Sequence, residues 1–353
     1  MIFASDNWAG ASDRIFEALG RAAAGAARPY GNDTTSAAVA SRFSEIFERE
    51  VTVFFVATGT AANALSLAHF ARPGGVVFCH DEAHIKVDEG GAPEFFGGLR
   101  LAGIAGRGGI YTPARLREVM ARYNPDFVHS GQPAAVSISQ LTEAGAAWSP
   151  AEIAAIAEVA HEAGLPLHMD GARFGNAVAA HADEPFDVAP ADITWRAGVD
   201  VLSFGGTKNG CFAAEAVVFF DPEKAKGFQF VRKRAGHLFS KSRFVAAQFD
   251  AYLADGHWLD LARHANAMAA RLAAAIRAAG GRFAGEPDGN EIFAVISKAA
   301  EARAKAAGAQ FYEWPTAGLL EGPLAQDEMF VRLVASFATT EAEVERFAAL
   351  LAG

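Results

Sequence analysis

The sequence predicts an α/β fold in which a mostly parallel sheet is flanked by helices, followed by a small C-terminal α+β domain. Three observations carry this expectation. Short apolar segments rich in Val, Ile and Phe alternate with helical segments over the first two thirds of the chain. Several of the apolar segments stop at glycine, as in "VDVLSFGGTKNG" at 199–210. Near residue 244 the alternation gives way to long helical periodicity.

The elements follow in order. "VTVFFVA" (51–57) reads as a buried strand, "TAANALSLAHFA" (60–71) as the helix after it, and "GVVFCH" (75–80) as a second strand. "SPAEIAAIAEVAHEAG" (149–164) is a helix with both ends signed: Ser149 as N-cap, Pro150 in the first turn, Glu152 closing a capping box and Gly164 at the stop. "LPLHMD" (165–170), "VDVLSF" (199–204) and "AEAVVFFDP" (214–222) are three further strands. "FVAAQFDAYLADGHW" (244–258) turns helical, and "WLDLARHANAMAARLAAAIRAAGG" (258–281) is a long amphipathic helix. "EIFAVIS" (291–297), "MFVRLVASF" (329–337) and a last helix complete the chain. This divides it into a large domain at 1–245, including an N-terminal segment at 1–13, and a small domain at 246–353.

A chain of 353 residues with 51% hydrophobic side chains can bury a large core. Its net charge of −10 supplies no basic stripe for phosphate backbones, so no nucleic-acid partner is expected. No uncharged apolar run approaches the ~18 residues of a membrane span, and no signal peptide is visible at the start. The two cysteines, Cys79 and Cys211, imply no disulfide framework. A cytoplasmic protein is the expectation.

Four stretches carry candidate chemistry at strand ends. In "SFGGTKNG" Lys208 stands just past a strand, where α/β proteins place their sites; the bland alternative is a solvated loop lysine. "ATGTAANAL" (57–65) places Gly59 and Thr60 at a helix N-terminus, a phosphate-binding geometry that is also common without a ligand. In "HMDGARFGNA" (168–177) Asp170 ends a strand and needs a cationic partner, either Arg173 beside it or a ligand. "CHDEAHIKVDEGGAPEFFGG" (79–98) crowds His and acidic residues, but without HExxH or EF-hand spacing, so no metal is expected and His84 is a candidate for stacking on an aromatic ring. Arg332 interrupts the apolar "FVRLVASF" and is a candidate partner for an anionic substrate group. Pyridoxal phosphate (PLP) needs this set: a lysine to hold it, amides for its phosphate, a carboxylate for its ring nitrogen and an arginine for an amino-acid carboxylate.

With "SDN" (5–7), "YGND" (30–33), "TGTAANAL" (58–65), "CHDEAHI" (79–85), "APEFF" (92–96), "HMDGARF" (168–174), "TWRAGVDVLSFGGTKNG" (194–210) and "RKRAGHLFSKSRF" (232–244), the chain resembles the low-specificity L-threonine aldolases. These belong to the β-eliminating lyase group of fold-type-I PLP enzymes, with phenylserine aldolases as close relatives. The resemblance covers nearly the full chain. It implies retro-aldol cleavage of a β-hydroxy-α-amino acid to glycine and an aldehyde, with PLP held covalently on Lys208. It implies Asp170 at the ring nitrogen, Gly59, Thr60 and Thr207 around the phosphate, and His84 stacked on the ring as a base. Ser5, Tyr30, Arg173 and Arg332 are expected near the substrate, with Arg173 also toward the cofactor, and His129 as a second catalytic histidine. A homotetramer, a dimer of dimers with shared active sites, is implied as well, with Arg232 and Lys233 as candidates for the basic residues that reach a neighbour's phosphate, against an ordinary exposed basic loop. Two departures bear on the substrate pocket: Gly90 stands where many relatives carry cysteine, and "LTEAGAAW" (141–148) differs from the usual form. Phenylserine preference, β-elimination or racemisation on the same scaffold are the rival activities, and a non-catalytic binding protein is the rival from another class.

Overall fold

The computed structural model describes residues 1–181 and 188–353. Seven strands form the main sheet: β1 (Thr52–Val56), β2 (Gly75–His80), β3 (Arg100–Ile104), β4 (Gln132–Ser139), β5 (Leu167–Gly171), β6 (Val201–Gly205) and β7 (Glu215–Phe219), in the order β1-β7-β6-β5-β4-β2-β3. The pairings β4–β5, β5–β6, β2–β4 and β2–β3 are parallel, and only β7 runs against its neighbours β1 and β6. Six strands therefore point one way. Every residue of β2, β5, β6 and β7 is buried, as expected where helices cover both faces and the sequence shows unbroken apolar runs.

The helix Pro150–Glu162 carries the expected capping box, with Ser149 and Glu152 each bonding the other's backbone. Phe43, Phe204 and Phe249 pack edge-on within the large core, with Phe43 5.1 Å from Phe204 and 5.5 Å from Phe249, and Phe47 stacks on Phe43 at 6.4 Å. Each such fully buried side chain stabilises by about 1.5–3 kcal/mol.

A second, four-stranded antiparallel sheet, ordered β10-β11-β9-β8, is built from β8 (Arg282–Phe283), β9 (Glu291–Ser297), β10 (Tyr312–Glu313) and β11 (Glu328–Val334). It has its own core with the helices His257–Ala278 and Glu341–Ala352. Packing divides the chain differently from the expected boundary at 246. That position lies inside the helix Arg243–Leu253, whose Val245, Phe249 and Tyr252 belong to the large core. The long helix His257–Ala278 passes from one core to the other: Trp258 packs in the first, and Met268, Leu272 and Ile276 in the second.

The first residues also depart from expectation. Phe3 lies in the small core, its N–H bonds Gln310 O at 2.8 Å, and its carbonyl accepts from Val334 N at 2.9 Å. The apolar start forms an isolated parallel bridge, Ile2 with Gln310, beside the smaller sheet. The chain then crosses to the large domain, where Ser12 N bonds Gly210 O at 2.9 Å.

Candidate active site

Strand direction decides which residues can meet. β7 is reversed, so Glu215 at its start lies in register with Val56 at the end of β1 and with Gly205 at the end of β6. Asp170 near the end of β5 pairs with Ser139 and Ser203. The carboxyl ends of the parallel strands and the start of β7 thus form one edge, where open α/β sheets bind ligands.

Lys208 sits in a single 3-10 turn, Thr207–Asn209, right after β6. The two glycines before it are required by close backbone approach. A Cβ on Gly205 would fall 2.5 Å from the Ala172 carbonyl oxygen, and one on Gly206 2.7 Å from that of Ala214. Asn209 pins the turn, donating to Tyr252 Oη at 2.7 Å and Trp258 O at 2.8 Å. The Lys208 amine makes no hydrogen bond or ion pair among the described residues.

Asp170 is 4% exposed. Its Oδ2 accepts from Asn63 Nδ2 at 2.8 Å and its Oδ1 from Ala172 N at 3.0 Å. The alternative of an Asp170–Arg173 pair is not realised, and among the described residues no cation pairs with this buried carboxylate. Asn63 gives its other N–H to Glu89 Oε1 at 2.8 Å, and the same oxygen lies 2.9 Å from His84 Nδ1. A chain Asp170–Asn63–Glu89–His84 therefore fixes the histidine. The Glu89 bond holds His84 above the ordinary imidazole range, while burial pushes the Glu89 carboxyl up.

At the helix Gly59–Phe70, Thr58 caps Ala61 N at 3.1 Å. The Gly59 and Thr60 amides donate to no group among the described residues, and they stand at the positive end of the helix dipole. Thr207 lies on the same compartment, its N–H 3.3 Å from Glu215 Oε1 and its Oγ1 accepting from Ala214 N. Burial raises Glu215 from 4.5 to about 7.

A second compartment adjoins the first, and Asn7, His84, Glu143 and Lys208 line both. Its wall includes Ser5, Arg173 and Arg332. Arg173 Nε and Nη2 bond the two Asp6 oxygens at 2.7 and 3.0 Å, and Nη1 is 3.0 Å from Glu291 Oε2. Burial alone would raise Asp6, but Arg173, with help from Lys208 and Asn290, holds it down at about 2. Arg332 Nη2 bonds the other Glu291 oxygen at 2.9 Å, its guanidinium lies 4.8 Å over the Trp314 ring, and its buried Nε has no partner among the described residues. Ser5 Oγ caps the short turn Asp6–Trp8 through Asn7 N at 3.2 Å.

Two expected positions, His129 and Tyr30, lie elsewhere, and Arg232, expected at a neighbour's phosphate, lines neither compartment of its own chain. His129 is exposed in the loop before β4, its ring 5.1 Å from Phe127. The eight residues of β4 separate it from the site edge, about 26 Å at ~3.3 Å per residue. It cannot reach this site in its own chain. Tyr30 is exposed, with the Lys233 ammonium 5.7 Å from its ring centre, and lines neither compartment. Arg232 lies over Phe54 and donates to Phe55 O at 3.3 Å, its buried Nε without a partner among the described residues. Sequence reasoning assigned no role to Asp6, Asn7, Asn63, Glu89, Glu143, Glu215 or Glu291. Asp6, Asn7, Asn63, Glu89 and Glu143 all lie within the motif segments quoted above for other residues.

The arrangement suits PLP on structural grounds: an unpartnered amine, a buried carboxylate lacking a cation, and free amides at a helix N-terminus converge on one compartment. A family model described as beta-eliminating lyase matches residues 3–299. The chain is 39% identical over 349 residues to a low specificity L-threonine aldolase of a Pseudomonas species, covering 98% of this chain and 96% of that protein. It is 40% identical over 312 residues to the low specificity L-threonine aldolase of Pseudomonas aeruginosa, covering 88% of each. Among solved structures, a threonine aldolase of Leishmania major superposes with a TM-score of 0.90 at 27% identity, covering 99% of this chain and 98% of the other. The fold is that of the fold-type-I PLP enzymes. Matched over most of its length, the chain belongs to the β-eliminating lyase family and is a lyase that works through pyridoxal phosphate.

Proposed function

We propose that the protein cleaves L-threonine, L-allo-threonine or a related β-hydroxy-α-amino acid to glycine and an aldehyde. One observation carries the reading: the free Lys208 amine shares a compartment with the buried, cation-less carboxylate of Asp170, in a chain whose full-length relatives bear that activity's name. Lys208 would hold PLP covalently, Asp170 would pair with its ring nitrogen, the Gly59 and Thr60 amides with Thr207 would bind its phosphate, and His84 would lie against its ring. Bound there, PLP supplies an electron sink for the α-carbon.

The chain's own residues do the rest. Arg332 lines the substrate compartment, carries a buried Nε without a partner among the described residues, and would be the group that takes the substrate carboxylate, with Ser5 on the same wall. Arg173, whose three nitrogens already face Asp6 and Glu291, acts by positioning Arg332 through Glu291. His84, oriented by Glu89, would lie against the cofactor ring and serve proton movement near the substrate.

The test is aldehyde release by the PLP-loaded protein from L-threonine, L-allo-threonine and L-threo-phenylserine. Equimolar glycine supports the proposal and ranks the substrates. Pyruvate from serine, or D-amino acid without aldehyde, would replace it with elimination or racemisation.

Assembly and location extend the proposal. A homotetramer with shared sites accords with the exposed Trp8, Phe16, Phe212 and Phe230, which a partner subunit would cover. A cytoplasmic location accords with Cys79 and Cys211, both buried as free thiols. No helix of the described residues is long and apolar enough to cross a membrane.

A further inference from the structure

We propose that Glu143 is a catalytic residue of the cleavage, the group that takes the proton from the substrate's β-hydroxyl; this rests on the aldolase reading above. Three titratable side chains line both compartments: Lys208, His84 and Glu143. Lys208 is committed to holding the cofactor. The nitrogen Nδ1 of His84 is engaged by Glu89 at 2.9 Å. The Glu143 carboxyl makes no hydrogen bond or ion pair among the described residues, although it lies at the junction of the two compartments. A carboxyl in such a place is either a liability or a working acid–base group.

The backbone holding it is firmly built. Thr142 Oγ1 donates to Gly108 O at 2.7 Å and accepts from Ala146 N at 3.1 Å and Ala144 N at 3.3 Å. Thr142 N and Ala146 O close the turn at 2.9 Å. Gly145 has φ +77°, and a Cβ there would sit 2.9 Å from Glu291 O, so the turn is pressed against the strand that serves both arginines. This is the other end of β4 from His129, so the chemistry expected of that segment falls on the residue four positions after the strand.

The charges around Glu143 suit a base. Burial raises it from 4.5 to about 7, Lys208 and His84 pull it down, and Asp170 and Glu291 push it up. Arg173 also faces it. A base whose pKa lies near the working pH is the most effective one. His84, with Nδ1 engaged by Glu89 and held above the ordinary imidazole range, keeps its proton more readily and is less often available in its unprotonated form. In the step, the O–H proton passes to the Glu143 carboxylate and the O–H electron pair becomes the new C=O bond. The Cα–Cβ bond breaks with its pair left on Cα. A proton returned to Cα gives glycine, so atoms and charge balance.

The experiment compares PLP-loaded wild type with Glu143→Gln and Glu143→Asp. Visible absorbance reads cofactor binding, its change on adding glycine reads amino-acid binding, and aldehyde release over pH reads turnover. Glu143→Gln is expected to keep cofactor and glycine binding while kcat/KM for L-threonine falls by about 10²–10⁴-fold. The wild-type rise in kcat/KM as pH climbs through about 7 should vanish in Glu143→Gln and persist in Glu143→Asp at an intermediate rate. A kcat/KM within about threefold of wild type with the same pH profile would overturn the proposal. So would joint loss of cofactor and glycine binding in both variants, which would make Glu143 structural. A wild type that releases no aldehyde is a separate outcome and refutes the aldolase reading itself.

Discussion

Arg173 grips Asp6 through two nitrogens, Nε to Oδ2 at 2.7 Å and Nη2 to Oδ1 at 3.0 Å, in a site where both side chains are almost wholly buried. The pair continues through Glu291 to Arg332, so charges alternate along four residues from three parts of the chain. Asp6 comes from the N-terminal crossing, Arg173 from the loop after β5, and Glu291 and Arg332 from β9 and β11. The substrate compartment is therefore assembled only when the small sheet is docked on the large one.

Asp6→Ala is expected to destabilise the protein by about 3–5 kcal/mol, because Arg173 would remain buried with one partner lost. Thermal unfolding at pH 7 measures this. Asp6 in the fold is held at about 2 against an ordinary 3.8, so its contribution is fully present above pH 3.8 and is lost as pH falls toward 2. Asp6→Ala should therefore flatten the acid side of the stability profile. An unchanged melting temperature would show that Glu291 alone satisfies Arg173.

Lys208→Ala should abolish turnover, because no other amine lies on this compartment among the described residues. Borohydride treatment of PLP-loaded wild type should fix cofactor to the peptide containing Lys208, and should fix none in the variant. Wild-type rates in Lys208→Ala would remove the lysine from the reaction.

Asp170→Asn should still bind PLP and lose about 10²–10³-fold in kcat. Asn keeps the size of the residue, but a neutral amide no longer favours a protonated ring nitrogen. The readouts are cofactor affinity and rate, and a rate equal to wild type would mean that the buried carboxylate serves folding only.

Much of this was legible because several elements carry local signatures. β5 and β6 are buried on both faces, so they read as unbroken apolar runs, and Ser149-Pro150 with Glu152 announces its helix. Lys208 and Asp170 stand beside glycines at strand ends and were visible for that reason. β3, "RLAGI", and β4, "QPAAVSIS", lack a clear strand signal: one holds a glycine, the other a proline at its second residue. Asn63 lies among alanines in a helix, and only its contact with Asp170 and Glu89 gives it a role. Glu143 and Glu291 likewise acquire meaning from tertiary neighbours. His129 stands at the opposite end of β4 from the site edge of its own chain, and a histidine near a strand gives no indication of which end of the sheet it occupies.

Arg332→Lys should raise KM for the amino acid more than it lowers kcat. Lysine keeps the charge but loses the fork that can bond Glu291 and a substrate carboxylate together. It also loses the flat stacking of the guanidinium 4.8 Å over Trp314. Steady-state kinetics with L-threonine separates the two constants, and an unchanged KM would transfer the carboxylate to another group.

Glu215 gives the last prediction, in the cofactor-free protein. Burial beside Asp170 raises its carboxyl from 4.5 to about 7, with Thr207 and Lys208 opposing. The folded state therefore holds a proton there that the unfolded chain releases near pH 4.5. Stability from this group is complete below pH 4.5 and declines as pH rises to about 7, by about 3 kcal/mol at ~1.4 kcal/mol per pH unit. Glu143 acts in the same window and direction, whereas Asp6 acts in the opposite direction and only below pH 3.8. Melting of the apoprotein at pH 5 and pH 8 should thus show a loss toward pH 8 that is smaller in Glu215→Gln, whose amide stays neutral throughout. An identical loss in both proteins would mean that Glu215 is ionised in the fold at pH 5, held by Lys208 in spite of its burial.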